Sequence, residues 1–437
     1  MLPTHTDSTE ETSSDEAPPQ TNAHQTPALY LIGPKIQKVP ELLRKEDSSR
    51  GAYDPKVVSF GPYHHGKLEL KTCEEVKQFT LQLFVEGGNQ PPQFYFTKIL
   101  ELISYVRYCY VEGSTEQYSD EQLAQMMLLD SSFLIYFMNV GEQNPLHRLL
   151  IYSYLGNLVN LLVNRDIFLM ENQIPFHILM LLINLRYNNG EESVSKFLHR
   201  SIWGQYKHEQ IQNIREQQSQ PLHLFDAFRR VLVWDFIPES QATTDEKETD
   251  SKKRHKTFRS AKDLKAKGIH FEPSRNKSLK AINFDSFTFY GQLQLPTWFV
   301  SDLSKVFFPN MIAYELCPNN LVDTTVISYI DFMKSLIDSP PDVKELREKR
   351  ILLTSLGSDE DVVKLYKGLD TYGMPSVYSY MEVKQRIQEH YDSKGRTWMA
   401  QLFHNYFSSP WSIIAWIAAV IVLVLTAVQT CFTVKPK

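Results

Sequence analysis

One short string has the residue types and spacing of a phosphate-binding loop. Residues Gly61–Leu68 read GPYHHGKL, which fits the pattern GxxxxGK, and they follow the strand-like run Val57–Phe60. A nucleotide loop binds phosphates through consecutive backbone N–H groups, and a Ser or Thr after the lysine places its hydroxyl on magnesium. Here Pro62 has no N–H, bulky side chains fill the loop, and Leu68 replaces the hydroxyl. The string therefore predicts a structural turn and no nucleotide cofactor.

The adjacent histidines of this string, His64 and His65, are candidate metal ligands. Adjacent side chains diverge on any regular element, and no third His, Cys or Asp follows at the spacing of a zinc or iron site. Four further histidines are isolated on apolar or amphipathic segments and are expected in the core or at the surface: His147, His177, His223 and His270. No metal site is predicted.

Two acid pairs, Glu171 with Asp166 and Asp130 with Glu121, are not spaced in a way that predicts hydrolysis. Their surroundings indicate structural carboxylates, because a carboxylate at the start of a buried helix accepts free backbone N–H groups. The sequence contains no GxSxG, and Cys317 has no motif that pairs it with a His or Asn. We therefore predict no catalytic residue and no enzymatic activity.

The distribution of charge excludes a nucleic-acid partner. The chain has 437 residues and a net charge of −5. Residues 1–28 contain five acids and no Lys or Arg, so the other residues balance to zero. A neutral body has no basic face for a phosphate backbone. Residues 1–28 are also poor in large apolar side chains, which predicts a disordered acidic tail without a secretory signal.

The four cysteines are Cys73, Cys109, Cys317 and Cys431. They lie far apart and form neither a disulfide framework nor a zinc pattern. A reducing compartment is therefore expected.

The elements that must position these residues are mainly helices. Apolar periodicity predicts helices at Glu74–Glu86, Thr97–Val111, Glu121–Val140, Leu146–Val163, Pro175–Arg186, Leu321–Ile337, Val343–Leu353, Asp359–Leu369, Val377–Tyr391 and Lys394–Phe407. Aromatic and β-branched residues at Gly268–Glu272, Ala281–Phe284 and Phe287–Leu295 predict a small antiparallel sheet. The predicted fold class is α+β with a predominantly helical body.

The composition divides the body into two parts. An exposed charged linker is predicted at 238–260, where the acids beside the basic cluster Lys252–Lys256 cancel most of its field. This separates a helical part at 29–237 from a part with the sheet and further helices at 261–409. A transmembrane helix is predicted at 410–433, followed by a short tail at 434–437.

The C-terminal apolar run predicts a membrane anchor. Trp411–Phe432 contains 22 residues without a charge, a length of about 33 Å as a helix at ~1.5 Å per residue. Trp411 and Trp416 lie near its beginning, where indole rings favour the membrane interface. We expect a single-pass tail anchor in the plasma membrane or an endomembrane, with the body in the cytosol.

Two shorter apolar stretches, 149–163 and 174–183, compete for the membrane assignment. Both are shorter than a bilayer and carry polar residues such as Asn157 and His177. They are predicted to be core helices.

Several strings together resemble the plant domain-of-unknown-function 247 family. The matching pieces are Ile36–Arg44, Tyr53–Gly66, Met127–Leu134, Asp166–Phe176, Ser260–Phe271, Phe308–Cys317, Leu356–Val363 and His404–Thr430. The string ENQIPF at 171–176 is the most specific of them, together with the proline-tryptophan that precedes the terminal helix. The resemblance extends from about residue 29 to residue 432.

The resemblance implies a plant-specific protein, attached to a membrane at its C-terminus and without an established active site. Similar grass proteins are associated with self-recognition between pollen and stigma, and others with growth or stress traits. The chain departs from the usual pattern at Ser131-Ser132, where a Gly-Cys pair is common, and at Tyr136, where an acid is common. The motif residues to which we assign structural roles are Pro40, Gly61, Pro62, His64, His65, Gly66, Asp130, Glu171, Asn172, Gln173, Pro175, Tyr314 and Glu315.

These observations favour a recognition or signalling adaptor whose partners are a lipid bilayer, through residues 411–432, and an unidentified protein. The expected anchor contacts are Trp411, Trp416 and Phe432. The alternative is a membrane-tethered enzyme with an unrecognised pocket near His64, His65 and Glu171. A concave pocket that brings these three side chains together would favour the enzyme, and a broad exposed apolar patch would favour the adaptor.

Overall fold

The computed structural model describes residues 33–45, 51–86, 88–140, 145–187, 190–203, 220–234, 259–318, 322–373, 380–392 and 410–434. The predicted tail at 1–28, most of the predicted linker at 238–260, and the predicted helix Lys394–Phe407 lie outside these residues. The side chain of Trp411 also lies outside them.

Short and medium helices form the first part of the body. They are α1 (Glu41–Arg44), α2 (Lys71–Glu86), α3 (Pro92–Leu100), α4 (Ile103–Cys109), α5 (Asp120–Met138), α6 (Pro145–Asp166), α7 (Phe176–Arg186), α8 (Gly190–Trp203) and α9 (Leu224–Val233). The segment predicted as one helix at Thr97–Val111 is two helices, since the chain turns between Leu100 and Ile103.

Helix α5 lies at the centre of this part and contacts α2, α3, α4, α7 and α8. Ser119 caps its beginning: the Ser119 hydroxyl accepts from the Gln122 N–H, and the Gln122 side chain accepts from the Ser119 N–H. Asn139 ends it in the left-handed conformation, with φ 59°. Nearly all residues of α5 from Leu123 to Ile135 are buried, so this helix is surrounded by the body on every side.

The second part combines two small sheets with further helices. The elements are α10 (Ala261–Ala266), β1 (Ile269–Pro273), β2 (Asn283–Ser286), β3 (Gly291–Leu295), β4 (Trp298–Val300), α11 (Ser304–Leu316), α12 (Thr325–Leu336), α13 (Pro340–Glu348), β5 (Leu352–Thr354), α14 (Asp359–Gly368) and α15 (Met381–Asp392). The α+β class with a mainly helical body is thus confirmed.

The three-stranded sheet is mixed and has the order β1-β3-β2. The expected antiparallel pairing is present between β2 and β3, with Phe284 opposite Leu293. Strand β1 pairs with β3 in parallel, with Phe271 opposite Leu293, because the chain returns through β2 before it forms β3. Strands β4 and β5 form a second, parallel pair. The end of the predicted helix Val343–Leu353 is therefore a strand.

One continuous hydrophobic core spans both parts, from Ile36 to Ile387. Aromatic rings join them: Phe228 of α9 lies 4.6 Å from Phe307 of α11, centroid to centroid, and Phe225 lies 5.9 Å from Tyr314. The domain boundaries drawn from composition remain predictions.

The C-terminal helix α16 (Pro410–Val434) contains Ile414–Thr433, which is long and apolar enough to cross a membrane by length and composition. Its mean hydropathy is 2.3, and none of this window is buried against the body. Trp416 and Phe432 are 56% and 80% exposed. This helix is therefore a candidate membrane anchor.

Candidate functional site

The segment Lys56–Gly61 bends at both ends, and its hydrogen-bond partners are side chains. Sequence predicts a strand at Val57–Phe60, but no strand pairs with it in the part of the chain that the structure describes. The Asp166 carboxylate accepts from three successive N–H groups through Oδ2, those of Lys56 at 2.8 Å, Val57 at 2.8 Å and Val58 at 3.2 Å. Successive N–H groups of a strand point to opposite sides, so their shared acceptor indicates a bend in the chain, at which one buried carboxylate satisfies three backbone donors.

Asn172 continues the same pairing. Its Oδ1 accepts from the N–H of Phe60 at 2.7 Å, and its Nδ2 donates to the carbonyl of Val58 at 2.9 Å and to that of Asp166 at 3.0 Å. A carboxamide has one acceptor oxygen and two donor hydrogens, so it can bond an N–H and a carbonyl of the same segment. Asn172 therefore acts as a one-residue substitute for a neighbouring strand.

Asp130 of α5 binds the end of the segment and a buried cation. Its Oδ2 accepts from the N–H of Gly61 at 2.7 Å, and its Oδ1 lies 2.6 Å from Lys77 Nζ. Lys77 also donates to the carbonyl of Ser59 and to Glu74, each at 2.6 Å. Burial lowers the pKa of Lys77, but the carboxylates of Asp130 and Glu74 outweigh this and raise it. The ammonium group therefore stays charged.

The Glu171 carboxylate contacts donor groups from three separate parts of the chain. It accepts from the N–H of Val39 and from Nη2 of Arg44, each at 2.5 Å, and its Oε2 lies 3.3 Å from Nε2 of His64. Burial raises the pKa of Glu171, but the contacts with His64 and Arg44 outweigh it and lower the pKa to about 2. Glu171 is therefore an ionised structural group at neutral pH.

Gln173 connects this region to α9. Its Nε2 donates to the carbonyls of Ile167 and Leu169, and its Oε1 accepts from the N–H of Phe225 at 3.1 Å. A Cβ at Gly61, where φ is 71°, would lie 2.5 Å from the carbonyl oxygen of Gln173, so no side chain fits there. We call Asp130, Asp166, Glu171, Asn172 and Gln173 the polar hub; each is at most 4% exposed.

The motif around α11 reaches the same region. Asn310 Oδ1 accepts from the N–H of Met170 at 2.9 Å, and its Nδ2 donates to the carbonyls of Ala52 and Val306. Glu315 accepts from the N–H groups of Val326 and Ile327 at the start of α12. It is also paired with Arg229 of α9, from Nη2 to Oε1 at 2.6 Å. Tyr314 is 3% exposed, and its ring packs against His223.

The prolines and glycines of the motifs shape the chain around the hub. Pro40 and Pro175 precede the first residues of α1 and α7, as N-cap residues. The carbonyl of Pro62 accepts from the Tyr118 hydroxyl at 3.3 Å. Gly66 has a φ of 81°, which favours glycine in the turn Gly61–Leu68.

The structure brings together two of the three residues proposed for an enzyme pocket. His64 contacts Glu171, and both are buried, at 3% and 4% exposure. The ring of His65 packs edge-on against Tyr118, with centroids 5.9 Å apart. The contact between His64 and Glu171 thus lies within the core rather than on an open surface.

Sequence reasoning missed one arrangement that could carry chemistry, the pair Ser59 and Lys77. Lys77 Nζ lies 3.4 Å from Ser59 Oγ, and the two residues are 18 positions apart without a recognisable motif. A general base must be neutral, whereas Lys77 is charged and fully buried, and Ser59 is 1% exposed. The geometry therefore indicates a structural contact.

Other reactive groups do not form a further site among the described residues. All four cysteines are free thiols. Burial raises the pKa of Cys73 and Cys317 to about 12 and that of Cys109 to about 11, so these thiols are unreactive at neutral pH. The described residues contain no group of three His, Cys, Asp or Glu side chains that could hold a metal ion.

Comparison with known proteins gives the same family that the motifs suggest. A UPF0481 protein from Arabidopsis thaliana is 26% identical over 407 residues, which cover 87% of this chain and 82% of the relative. A putative UPF0481 protein from the same plant is 23% identical, covering 86% of each chain. No solved structure matches the chain significantly. The family model DUF247, described as plant protein of unknown function, matches residues 36–425, so the chain belongs to this family.

Proposed function

We propose that this chain is a membrane-tethered adaptor that recognises other proteins. The observation that carries the proposal is the burial of the motif side chains that could do chemistry. His64, Asp130 and Glu171 are at most 4% exposed, and they contact backbone groups or one another. A reaction centre must admit its substrate, whereas a scaffold must exclude water. The buried hub therefore has the character of a structural scaffold, and we propose that exposed residues recognise the partner.

An exposed aromatic turn between β2 and β3 supports a protein partner. Phe287, Phe289 and Tyr290 are 42%, 54% and 40% exposed. The rings of Phe287 and Tyr290 stack with centroids 4.8 Å apart, and the Phe287 N–H donates to the carbonyl of Tyr290. Rigid aromatic side chains bury much apolar area at a small entropic cost, and aromatic residues are enriched in protein interfaces. We propose that a protein partner contacts this turn.

The membrane part of the proposal is supported by α16. An uncharged, predominantly apolar helical segment of 20 residues, no part of which is buried in the body, has the length and exposure of a bilayer span. We propose a single-pass C-terminal anchor in the plasma membrane or an endomembrane, with the body in the cytosol. A role in self-recognition or stress responses would fit such an adaptor.

The test is proximity labelling in plant cells with the labelling enzyme at the N-terminus, because it reports the compartment and the neighbours together. We expect membrane proteins among the neighbours, and loss of a defined subset in the double variant Phe289→Ala, Tyr290→Ala at unchanged abundance. Phe79→Ala, at a residue of α2 that is 39% exposed, is the control. A double variant that retains every neighbour would contradict recognition through the turn.

We also propose that the hub has no enzymatic role. His64→Asn should lower the melting temperature and the abundance of the protein, because it removes a buried contact to Glu171. If His64→Asn accumulates and melts like the parent, the scaffold interpretation is wrong. The alternative enzyme, with a pocket near His64, His65 and Glu171, would then be favoured.

A further inference from the structure

A group of basic side chains lies around α10 and the end of α15. Arg259 Cζ and Lys267 Nζ lie 5.1 Å and 5.0 Å from the centroid of the Tyr391 ring, so one aromatic side chain contacts both cations. Tyr391 is the penultimate residue of α15 and is half-buried. Because the ring orders both cations, a ligand that binds them loses little of their rotamer freedom.

Two further lysines extend this group. Lys262 is exposed on α10, and Lys349 is exposed directly after α13, the helix against which α10 packs. Burial lowers the pKa of His270 on β1, and the charges of Lys349 and Lys265 lower it further, so both ammonium groups lie close to that ring. We call the four cations the basic patch: Arg259, Lys262, Lys267 and Lys349.

The acids around the basic patch balance its charge only in part. Glu345 is paired with Lys265, and Glu348 Oε1 lies 3.9 Å from Lys344 Nζ. Within the described residues the four patch cations form no ion pair. Two further exposed acids lie beside the patch along the chain: Asp263 and Asp392. The four cations exceed these two acids by two charges, so the neutral total charge of the body does not exclude a local basic surface.

The basic patch lies where the chain leaves the body toward the candidate anchor. Residues 393–409 connect α15 to α16, and 17 residues reach at most about 60 Å when fully extended. The sequence of this connection contains no Asp or Glu, the two basic residues Lys394 and Arg396, and four aromatic residues. Basic and aromatic residues together are typical of a segment at a membrane interface. With α16 in a bilayer, the end of α15 is thus tethered within reach of the lipid headgroups.

We propose that the basic patch binds anionic lipid headgroups of the membrane that α16 crosses. Phosphate and carboxylate oxygens accept charge-assisted hydrogen bonds from guanidinium and ammonium groups. Clusters of about four to eight Lys and Arg beside a transmembrane helix are typical of proteins that bind anionic lipids of the cytoplasmic leaflet. The tether raises the effective concentration of these headgroups at the patch, which strengthens a weak contact. The proposal rests on the membrane anchor and the cytosolic body proposed above.

The tether also distinguishes lipid from other anionic partners. A nucleic acid or an acidic protein has similar charges, but the chain itself holds neither within reach of the patch. Contacts between exposed charges are weak at physiological salt, and four cations give a free partner little affinity. An anionic lipid in the same bilayer needs no such affinity, because α16 keeps it at high local concentration.

The test compares the full-length chain in vesicles of phosphatidylcholine alone with the chain in vesicles that also contain phosphatidylserine. A fluorophore on Ala266→Cys, an exposed position of α10, reports contact through quenching by lipids with a nitroxide on the headgroup. The background is Cys431→Ser, since the other three cysteines are buried. We expect quenching about twofold stronger with phosphatidylserine, and loss of this difference at high salt, because exposed charges are screened.

A triple variant identifies the side chains responsible. Arg259→Gln with Lys262→Gln and Lys267→Gln should abolish the difference between the two kinds of vesicle. The matched control also removes three exposed charges and should keep the difference: Lys196→Gln, Lys305→Gln and Lys364→Gln. The comparison of the two kinds of vesicle does not depend on the folding of either triple variant.

Equal quenching in the two kinds of vesicle would overturn the proposal and would favour an acidic protein as the partner of the patch. A triple variant that keeps the difference would also overturn it. Flotation with phosphatidylcholine vesicles tests the anchor separately, because neutral lipid offers the patch no net charge. A chain that floats with them but shows equal quenching contradicts the patch and leaves the anchor intact. A chain that does not float with them contradicts the anchor, and with it the tether on which the patch depends.

Discussion

At the scale of single residues, the main feature of this protein is the use of side chains as backbone partners. Asp166, Asn172 and Asp130 accept from the N–H groups of five of the six residues Lys56–Gly61; the exception is Ser59, whose carbonyl accepts from Lys77. The sequence marks these residues as motif members, but it does not reveal their partners. Asn172 is 112 positions from Phe60, and a hydrogen bond at such a separation leaves no local pattern.

Asn172→Asp tests this substitution of a side chain for a strand. The change keeps the shape but removes both Nδ2 donors, and it places a second buried carboxylate beside Asp166. We expect a loss of about 3–5 kcal/mol in the free energy of unfolding, because an uncompensated charge is left in the core. Urea denaturation provides the measurement, and Asn283→Asp, at an exposed position of β2, is the control. If Asn172→Asp is as stable as Asn283→Asp, water must reach the polar hub and solvate the new charge.

His223 gives a pH-dependent prediction. Its Nδ1 accepts from the N–H of Asp226 and caps α9. Burial lowers the pKa of His223 to about 4, although the nearby Asp226 raises it. The folded state therefore keeps the imidazole neutral, while the unfolded chain binds a proton near pH 6.5. The contribution of neutral His223 to the free energy of unfolding should be fully present above pH 6.5. It should decrease by about 3 kcal/mol as the pH falls toward 4.

His223→Asn should remove this dependence and retain the cap, since Asn is a good N-cap residue. Denaturation midpoints measured between pH 4 and pH 7 compare the two proteins. His270→Asn, at an exposed position of β1, is the control and should keep most of the slope. A variant whose midpoint still falls as steeply as that of the parent would assign the proton uptake to another group.

At the scale of elements, periodicity predicts helices such as α5, α7 and α12, but it misses α8, α9 and α11. Helix α11 is not predicted, because Pro309 in its interior indicates a break, yet Asn310 donates to the Val306 carbonyl one turn back. The helix predicted through Leu353 ends at Glu348, because β5 pairs with β4, a partner about 50 residues away. Such tertiary pairings have no periodic signal in the chain.

Helix α7 carries the clearest element-scale prediction. Phe176, Leu179, Met180 and Ile183 lie on one face and are buried, with Phe176 2% exposed. Removing a buried Phe ring costs about 3–5 kcal/mol, a large part of the ~5–15 kcal/mol that stabilises a typical domain. Phe176→Ala should therefore lower abundance in cells and the melting temperature, whereas Phe289→Ala, at an exposed ring, should not. Normal abundance of Phe176→Ala with loss of one partner would instead indicate a contact residue.

At the scale of the whole molecule, the chain combines one continuous core with a terminal helix that contributes nothing to it. The 0% burial of Ile414–Thr433 means that the body loses no packing when this segment is removed. Composition alone predicts this helix, because a span of a bilayer is defined by length and apolarity. Composition does not predict on which side of the membrane the body lies, because positive charges flank both ends of the helix.

Deletion of Pro410–Lys437 tests the anchor directly. The truncated chain should appear in the supernatant of a microsome preparation, while the parent should pellet and resist alkaline extraction. Val420→Glu with Val424→Glu keeps the length and should also release the protein, because each charge at a helix centre costs about 2.5–3.5 kcal/mol on insertion. Ser408→Ala is the control. If the truncated chain still resists extraction, a second membrane element exists, and the first candidate is the stretch 149–163 of α6, which has no charged residue and on which Leu158 is 69% exposed.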